Sequence, residues 1–317
     1  MPWIDFTLLA LSLAGLWVGT NISVNHAVSV AKHLGLSEFF IGLTIISIGT
    51  DLPEMVVSIT GSVHRLKGEE TSGLIIGNAI GSSLGQMGLA LAIASFFYRM
   101  TLDRTDSIRD GTMLGVSTFV LMMLATDGVI SRVEGVLLVV IFLVYVALLL
   151  SQEKKKVLSK PRNPVPGYRT TWTILALLGG LAIVVIASEW TIKSALHIAD
   201  YYHIRQSLIG IFIVGLGTSL PELAVSIGGI FKGSPGISGG TVIGSTIFDI
   251  LVPIGMSAAI ANLQFDKRIA DFDIPAFLII ALLVFAFFLT RKGISKVEAS
   301  IILVLYVLYA WLKIAQT

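Results

Sequence analysis

Two short, nearly repeated segments carry the residues of this sequence that could do chemistry. The segment 41–61, IGLTIISIGTDLPEMVVSITG, is apolar text that contains Asp51 and Glu54 on either side of a Leu-Pro pair. The segment 209–229, IGIFIVGLGTSLPELAVSIGG, matches it at twelve of twenty-one positions and carries Glu222 after its own proline. A duplicated apolar helix that is interrupted and bears charge is typical of membrane transporters.

The chemistry expected at these breaks is the binding of a hard cation. Proline has no N–H and disfavours helix at the preceding residue, so carbonyls around 47–50 and 215–218 are expected to be freed from the helix. Freed carbonyls in a membrane need protein, a cavity or an ion. A carboxylate at mid-membrane costs about 2.5–3.5 kcal/mol or more, so two at matched positions need compensating charge. Carboxylate, carbonyl and hydroxyl oxygens suit Ca²⁺ or Na⁺.

A second matched pair of segments supplies partners for these acids. GNAIGS at 77–82 resembles GTVIGS at 240–245, and each ends in a serine, Ser82 or Ser245. Four residues later come Gln86 and Asp249, one helical turn away on the same face. The sequence therefore predicts a cage of carboxylates joined by amide and hydroxyl oxygens, formed by Glu54, Glu222, Asp249 and Asp51.

The composition places these segments in a membrane. The chain is 55% hydrophobic and 13% charged, with a mean hydropathy of +0.88, whereas globular domains are about 25% charged. We predict an all-α membrane protein, and not an enzyme. Its ten transmembrane helices, each about 20 residues long, are expected near 4–31, 38–62, 72–98, 110–126, 132–151, 171–198, 206–230, 238–262, 273–290 and 296–315.

The repeats divide the chain into two halves. A polar cytoplasmic linker at 153–170 separates a first five-helix repeat, 1–152 with its motif at 41–88, from a second, 171–317 with its motif at 209–251. Because each half has an odd number of spans, the second must enter the membrane in the opposite sense. The prediction is two inverted-topology repeats with broken helices 2, 3, 7 and 8, whose shared site lies near the midplane.

The distribution of Lys and Arg predicts the orientation. With the N-terminus outside, the cytoplasmic loops hold fourteen such residues and the outer side holds seven. Positive charge collects on the cytoplasmic side, so we expect N-out and C-out in the plasma (inner) membrane.

Glu189 and Lys193 are spaced to form a structural ion pair, and the five histidines are interpreted as interfacial. Basic clusters lack interleaved aromatic residues, so nucleic acid is not expected as a partner. The expected partners are inorganic cations and the lipid bilayer, and the protein is expected to be a monomer.

At these residues the chain resembles the cation/calcium exchanger superfamily, and within it the prokaryotic sodium/calcium exchangers. The paired G-T-[SD]-L-P-E motifs and the two segments ending in I-G-S resemble its two repeats, and the likeness covers essentially the whole chain. It implies Ca²⁺/Na⁺ antiport by alternating access, in which spans 1 and 6 slide over the other eight. We expect no cofactor. The transported ions that the resemblance implies are Ca²⁺ and Na⁺, with H⁺ as an alternative counter-ion.

The resemblance also implies roles for individual residues. Glu54 and Glu222 resemble the central calcium ligands, together with the carbonyls of Thr50 and Thr218. Ser219, Ser82 and Ser245 resemble ligands of flanking sodium sites. Gln86 and Asp249 resemble the pair that lines the middle site.

Two residues depart from the family pattern. Asp51 stands where the family has a serine, as Ser219 does in the second half, and Gln86 stands where asparagine is usual. Because neighbouring carboxylates do not easily ionise together, Asp51 is expected either to be protonated and donate a hydrogen bond or to be a proton-coupled ligand. The alternative function is therefore Ca²⁺/H⁺ (or other divalent cation/H⁺) antiport.

Two further classes of protein fit the sequence less well. An intramembrane aspartyl hydrolase would need a pair of catalytic aspartates at a cleft, and the duplicated pair here is glutamate. A channel usually forms its pore from a ring of subunits, which this internal duplication does not require.

Overall fold

The computed structural model describes residues 2–33, 47–97, 104–157, 170–219, 222, 235–264, 266–291 and 293–315. Three predictions fall wholly or partly outside these residues. They are the first part of span 2, the end of span 7 including Pro221, and most of the linker predicted at 153–170.

The described part of the first half contains seven α-helices. They are α1 (Pro2–His33), α2 (Ser47–Thr50), α3 (Leu52–Leu66), α4 (Ser72–Leu84), α5 (Leu91–Phe97), α6 (Arg104–Leu124) and α7 (Arg132–Val157). A π-helical segment, π1 (Gly85–Ala90), joins α4 to α5 without interruption.

Seven more α-helices lie among the described residues of the second half. They are α8 (Thr170–Tyr202), α9 (Gln206–Ile209), α10 (Leu216–Thr218), α11 (Pro235–Leu251), α12 (Pro253–Ile260), α13 (Ile274–Arg291) and α14 (Lys296–Ala315). Two more π-helical segments occur, π2 (Gly210–Gly215) and π3 (Ile269–Asp273). Two-residue strands, β1 (Val129–Ile130) and β2 (Leu263–Gln264), pair antiparallel between loops of the two halves.

Eight helices of the described chain are long and apolar enough to cross a membrane. They correspond to predicted spans 1, 3, 4, 5, 6, 8, 9 and 10, so the prediction of a multi-pass helical membrane protein is confirmed. The described parts of spans 2 and 7 are short helices, α2 with α3 and α9 through α10.

The helices that carry the matched motifs are interrupted. Helix α2 ends at Thr50, Asp51 lies in a turn, and α3 begins at Leu52. The second half has the same geometry, because Asp51 and Ser219 both adopt φ −81° and ψ 4°. A further break separates α11 from α12 at Val252, where Pro253 starts the second helix. At two of these interruptions a polar residue, Asp51 or Ser219, lies directly next to the end of a helical segment.

The buried apolar residues form two separate clusters. The larger cluster joins α4, α6, α7 and α11 to α14, with Leu84, Phe248 and Phe277 among its fully or almost fully buried members. The smaller cluster lies between α1 and α8 and reaches α3 and α4 through Val57 and Leu74. The α1–α8 pair thus forms its own layer against the rest of the helices.

Small residues allow the broken helices to approach α4 closely. A Cβ on Gly77 would lie 2.7 Å from the carbonyl oxygen of Ser207, and one on Gly81 would lie 2.5 Å from the Cα of Ile211. Because real Cβ atoms do not come so near to backbone, only glycine fits at these two positions. The close approach brings the serine that follows Gly81 against the break in the second half.

Candidate functional site

Four acidic side chains from both halves of the chain are buried completely at the helix breaks. Asp51 and Glu54 lie at the start of α3, Glu222 follows α10, and Asp249 lies near the end of α11. Each has a relative exposure of 0%. A buried carboxylate is rarely tolerated without a partner that supplies positive charge or hydrogen bonds, so this cluster is where an ion-binding function is expected.

Two serines and a glutamine link Glu54 to Asp249. The Ser82 hydroxyl lies 3.2 Å from Oε1 of Glu54 and 2.5 Å from Oδ2 of Asp249. Ser219 Oγ lies 3.1 Å from the same Glu54 oxygen and 2.7 Å from Ser82 Oγ. Gln86 donates from Nε2 to Asp249 Oδ2 at 3.1 Å. Five of the residues predicted for the site therefore form one connected network that spans both halves.

Asp51, Glu222 and Ser245 form the mirror-related side of the cluster. Asp51 faces both Glu222 and Ser245, as Ser219 faces Glu54 and Ser82 in the other half. None of these contacts meets hydrogen-bond geometry, and both carboxylate oxygens of Asp51 and of Glu222 lack a hydrogen-bond partner among the described residues. This side of the cluster thus presents four buried acceptor oxygens that remain able to coordinate a cation.

One oxygen on each of the other two acids is also without a partner. Glu54 Oε2 and Asp249 Oδ1 accept no hydrogen bond from the described chain. In the described chain, no three carboxylate or imidazole groups converge as a ready-made metal shell. The arrangement is therefore an acidic cluster bridged by hydroxyls, with serine, amide and backbone oxygens beside the carboxylates.

The backbone at the second break differs from the sequence prediction in one respect. The carbonyl of Gly215, expected to be freed by the break, accepts hydrogen bonds from the Ser219 amide at 3.2 Å and the Ser219 hydroxyl at 2.7 Å. It also lies 3.2 Å from the Thr218 hydroxyl. The bond from the Ser219 amide is the regular i→i+4 helical bond, so Gly215 is not among the freed carbonyls that were expected around 215–218. The N–H that Pro221 lacks would have been the i→i+4 donor to the carbonyl of Gly217.

The two threonines predicted to offer carbonyls are buried at the helix ends. Thr50 is 3% exposed as the last residue of α2, and Thr218 is 1% exposed as the last residue of α10. The Thr218 hydroxyl is directed into the protein, 3.0 Å from the carbonyl of Val214 and 3.3 Å from Asn78 Oδ1. Both threonines therefore lie at the breaks on which the cluster is assembled.

Two polar residues that the sequence prediction did not select support the cluster. Asn78 donates to the backbone carbonyl of Glu54 at 3.2 Å and so fixes the start of α3 to α4. Thr246 donates to Oε1 of Gln86 at 3.1 Å, which orients the amide so that its Nε2 faces Asp249. Asn78 could have been found because it lies inside the matched segment, at the position where the second half has Thr241.

Two predictions concern residues outside the site. Glu189 and Lys193 form the expected ion pair at 3.0 Å. His64 lies near the end of α3, close to the end of the predicted span. Its side chain is only 3% exposed and contacts two glutamates, Glu69 in the turn after α3 and Glu189 in α8, which the sequence did not indicate.

Comparison with known proteins gives the same assignment for nearly the whole chain. The sequence model of the family described as sodium/calcium exchanger protein matches residues 4–151 and 172–315. A protein named as the antiporter CaxA, from Alkalimonas amylolytica, is 30% identical over 97% of both chains. The sodium/calcium exchanger MaX1 of Methanosarcina acetivorans is 27% identical over 98% of both.

A solved structure agrees as well. The sodium-calcium exchanger NCX_Mj is 26% identical and superimposes with a TM-score of 0.66, covering 96% of this chain and 97% of its own.

Proposed function

Because this chain belongs to the sodium/calcium exchanger protein family, we propose that it exchanges Ca²⁺ for Na⁺ across the membrane by alternating access. It is a multi-pass membrane transporter of the cation antiporter class and not an enzyme. The observation that carries the specific proposal is the cluster of four fully buried carboxylates at the helix breaks. The substrates are inorganic cations, and the transport cycle uses no cofactor.

The charge of the cluster is the reason for a cation substrate. No lysine, arginine or histidine of the described chain forms an ion pair with Asp51, Glu54, Glu222 or Asp249. Ionised carboxylates in a low-dielectric interior are strongly unfavourable without compensating charge. One Ca²⁺ or several Na⁺ would supply this compensating charge. Ca²⁺ and Na⁺ would exclude each other because they would bind to the same oxygens.

We propose roles for the individual residues from the family resemblance, and their positions in the cluster support these roles. Glu54 and Glu222, with the carbonyls of Thr50 and Thr218, would hold Ca²⁺. Ser219, Ser82 and Ser245 would complete flanking Na⁺ sites. Gln86 and Asp249 would line the middle of the cluster, where Thr246 holds the glutamine amide in place. Asp51 would be the fourth carboxylate of the cluster and would lie on the side that carries Glu222.

We also propose ten spans in two inverted repeats, with both termini outside a plasma membrane. Mirrored contacts support the repeat. Ser131 and Glu134 form a capping box at the start of α7, and Ser295 and Glu298 form the same one at the start of α14. Tyr145 donates to Asp110 at 2.9 Å.

Tyr309 donates to Asp273 at 2.8 Å, which is the equivalent contact in the second half. These aspartates, like the motifs ending at Ser82 and Ser245, are 163 residues apart. The other matched pairs are 164 residues apart (Tyr145 and Tyr309) or 168 residues apart (Glu54 and Glu222). A duplication followed by short insertions or deletions accounts for these similar spacings, and five helices in each half require the opposite membrane sense. A monomer is sufficient for this arrangement, since both halves of the cluster come from one chain.

Transport in vesicles tests the proposed exchange. Purified protein is reconstituted, and Ca²⁺ uptake is measured first with an outward Na⁺ gradient and then with an outward H⁺ gradient. We expect uptake with the Na⁺ gradient. Uptake with the H⁺ gradient alone would establish Ca²⁺/H⁺ exchange, the alternative that the extra carboxylate of Asp51 motivates.

Glutamine substitutions connect that transport to the site. Glu54→Gln and Glu222→Gln keep the side-chain shape but remove a charge, so both should abolish uptake while the protein stays folded. Glu134→Gln is the matched control, because Glu134 serves in a helix cap outside the cluster and should transport normally. Full uptake by both cluster variants would refute the proposal.

A further inference from the structure

The environment of His64 is unlike that of any other described histidine. Its ring lies at the end of α3 with the side chain 3% exposed, and each ring nitrogen faces a different carboxylate. Nδ1 lies 2.9 Å from Glu69, in the turn after α3, and Nε2 lies 2.9 Å from Glu189, in α8. The imidazole therefore bridges two acidic groups on two elements.

The geometry favours the charged form of His64. A neutral imidazole has one N–H and can donate to only one of two flanking carboxylates, whereas the imidazolium donates to both. Burial lowers the pKa of His64, but the hydrogen bonds and charges of Glu189 and Glu69 outweigh it and raise the pKa above 6.5. His64 lies beyond the predicted span 38–62, at the level of the adjoining turn.

His64 contacts α8, and α8 packs tightly against α1. Thr191 in α8 donates to Ser12 in α1 at 2.9 Å, and His197 in α8 lies 3.3 Å from Asp5 in α1. A Cβ on Gly19 of α1 would lie 2.8 Å from the carbonyl oxygen of Gly180 in α8, so the two backbones nearly touch. Helices α1 and α8 are therefore expected to move as one unit.

Only two polar side-chain contacts join this unit to α3 among the described residues. They are His64 with Glu189, and Thr60 with Ser188 at 2.8 Å. The remaining contact of α3 with this unit is apolar and includes Val57. Leu74 of α4 packs in the same apolar cluster. Apolar contacts have no fixed partner and permit sliding, whereas the two polar pairs must separate when α8 shifts along α3.

We propose that His64 and Glu189 form a proton-dependent latch that holds the α1–α8 pair in the register seen here. The proposal rests on the function above, because it takes sliding of α1 and α8 over the other helices as the transport movement. His64 is a positioning residue in this scheme and contacts no transported ion. Protonation strengthens the latch, and loss of the proton leaves one of the two carboxylates without a donor.

The other ionisable groups around the latch are accounted for. Helices α4 and α12, which also pack on α3, contain no ionisable residue. On α8, Lys193 pairs with the second oxygen of Glu189. Arg65 on α3 pairs with Glu70. A cleft of about 660 Å³ opens beside the latch, so protons can reach it; its lining includes His64, Glu69, Glu70, Lys193, His197 and Asp200.

The direction of the pH effect follows from the raised pKa of His64 in the latched state. The stabilisation is fully present below the pKa that His64 has when α8 has moved away. It is lost as the pH rises through the higher, latched pKa. Acid therefore favours the latched register, and alkaline solution releases it.

Spin labels can measure the register directly. The chain has no cysteine, so Tyr201→Cys on α8 and Lys267→Cys, both exposed positions, provide the only thiols of the full chain. Distances between the labels are measured at several pH values between 5 and 9 in lipid nanodiscs, with Na⁺ or Ca²⁺ held constant. We expect the population at the distance seen here to increase in acid, by up to about tenfold per pH unit for one proton.

Variants isolate the latch from other titrating groups. His64→Gln, and independently Glu189→Gln, should make the distance populations independent of pH. His197→Gln is the matched control, because His197 pairs with Asp5 within the sliding unit and should leave the pH dependence intact. Unaltered pH dependence in both latch variants, or none in the parent protein, would overturn the proposal.

The outcomes also separate the latch from the transport function. Two distance populations that respond to ions but not to pH would overturn the latch and leave alternating access standing. One invariant distance in every ion and at every pH would overturn both the latch and the sliding movement.

Discussion

At the scale of single residues, Asp51 is the feature that most distinguishes the two halves of the site. It has the same backbone conformation as Ser219 but carries a carboxyl group, and it faces Glu222 where Ser219 faces Glu54. The backbone is therefore pseudo-symmetric at this position while the side-chain chemistry is not. Asp249, opposite Gln86, is the other unmatched acid, so the cluster holds two acids beyond the matched pair Glu54 and Glu222.

The additional carboxyl group of Asp51 should be visible in the transport stoichiometry. Asp51→Ser restores the residue type of the matched position, so the loaded site would need about one positive charge fewer to be neutral. We expect the number of monovalent cations exchanged per Ca²⁺ to fall by about one, measured from the reversal of Ca²⁺ flux under opposed gradients. Asp271→Ser removes an exposed acid instead and should leave the ratio unchanged. An unchanged ratio in Asp51→Ser would show that Asp51 carries no compensated charge.

The sequence could identify the acidic residues of the site but not their supports. Duplication singles out Glu54, Glu222 and Ser82, because two matched segments with the same charged residue are hard to explain by helix packing alone. Asn78 and Thr246 escaped because they act on the carbonyl of Glu54 and the amide of Gln86. Such contacts depend on how two helices are rotated against each other, which one segment cannot specify.

At the scale of helices, the packing of α4 against π2 sets the position of the whole cluster. The backbone of Gly81 lies against Ile211, and the next residue, Ser82, reaches Ser219 and Glu54. The break at Pro53 was readable from the sequence. The π-helical segments were not, because their i→i+5 hydrogen bonds leave the apolar pattern almost unchanged.

A methyl group at this contact should disrupt it. Gly81→Ala would place a Cβ 2.5 Å from the Cα of Ile211, and backbone cannot yield as a flexible side chain does. We expect a loss of about 1–3 kcal/mol in stability and weaker Ca²⁺ uptake, because Ser82 is displaced from Glu54. Thermal unfolding in detergent measures the first effect.

The matched control for that substitution is another helical glycine. A Cβ on Gly179 in α8 has nothing within 4 Å, so Gly179→Ala should be neutral or stabilising, by up to about 1 kcal/mol from helix propensity. Equal unfolding temperatures for the two variants would contradict the close approach at Gly81.

At the scale of the whole molecule, the division of the core explains how a tightly packed protein could still move. The larger apolar cluster holds together α4, α6, α7 and the four helices α11, α12, α13 and α14. The smaller cluster joins α1 and α8 to α3 and α4. The family relationship could be predicted from the motifs, as could breaks in helices 2, 7 and 8. The break predicted in helix 3 was wrong, because α4 continues through π1 into α5. The separation into two clusters could not be predicted, because it depends on which apolar faces meet in three dimensions.

The proposed topology gives the last prediction. With ten spans, both termini must lie on one side and the linker between the halves on the other, and the Lys and Arg distribution places the termini outside. Since the chain lacks cysteine, Trp3→Cys, Gln316→Cys, Lys267→Cys and Ser159→Cys each introduce a single thiol. In intact cells, a membrane-impermeant maleimide should label the first three, and Ser159→Cys only after permeabilisation. Termini on opposite sides would require an odd number of spans and exclude two five-helix repeats. Labelling of Ser159→Cys alone in intact cells would reverse the orientation, and the latch at His64 would then respond to cytoplasmic instead of external pH.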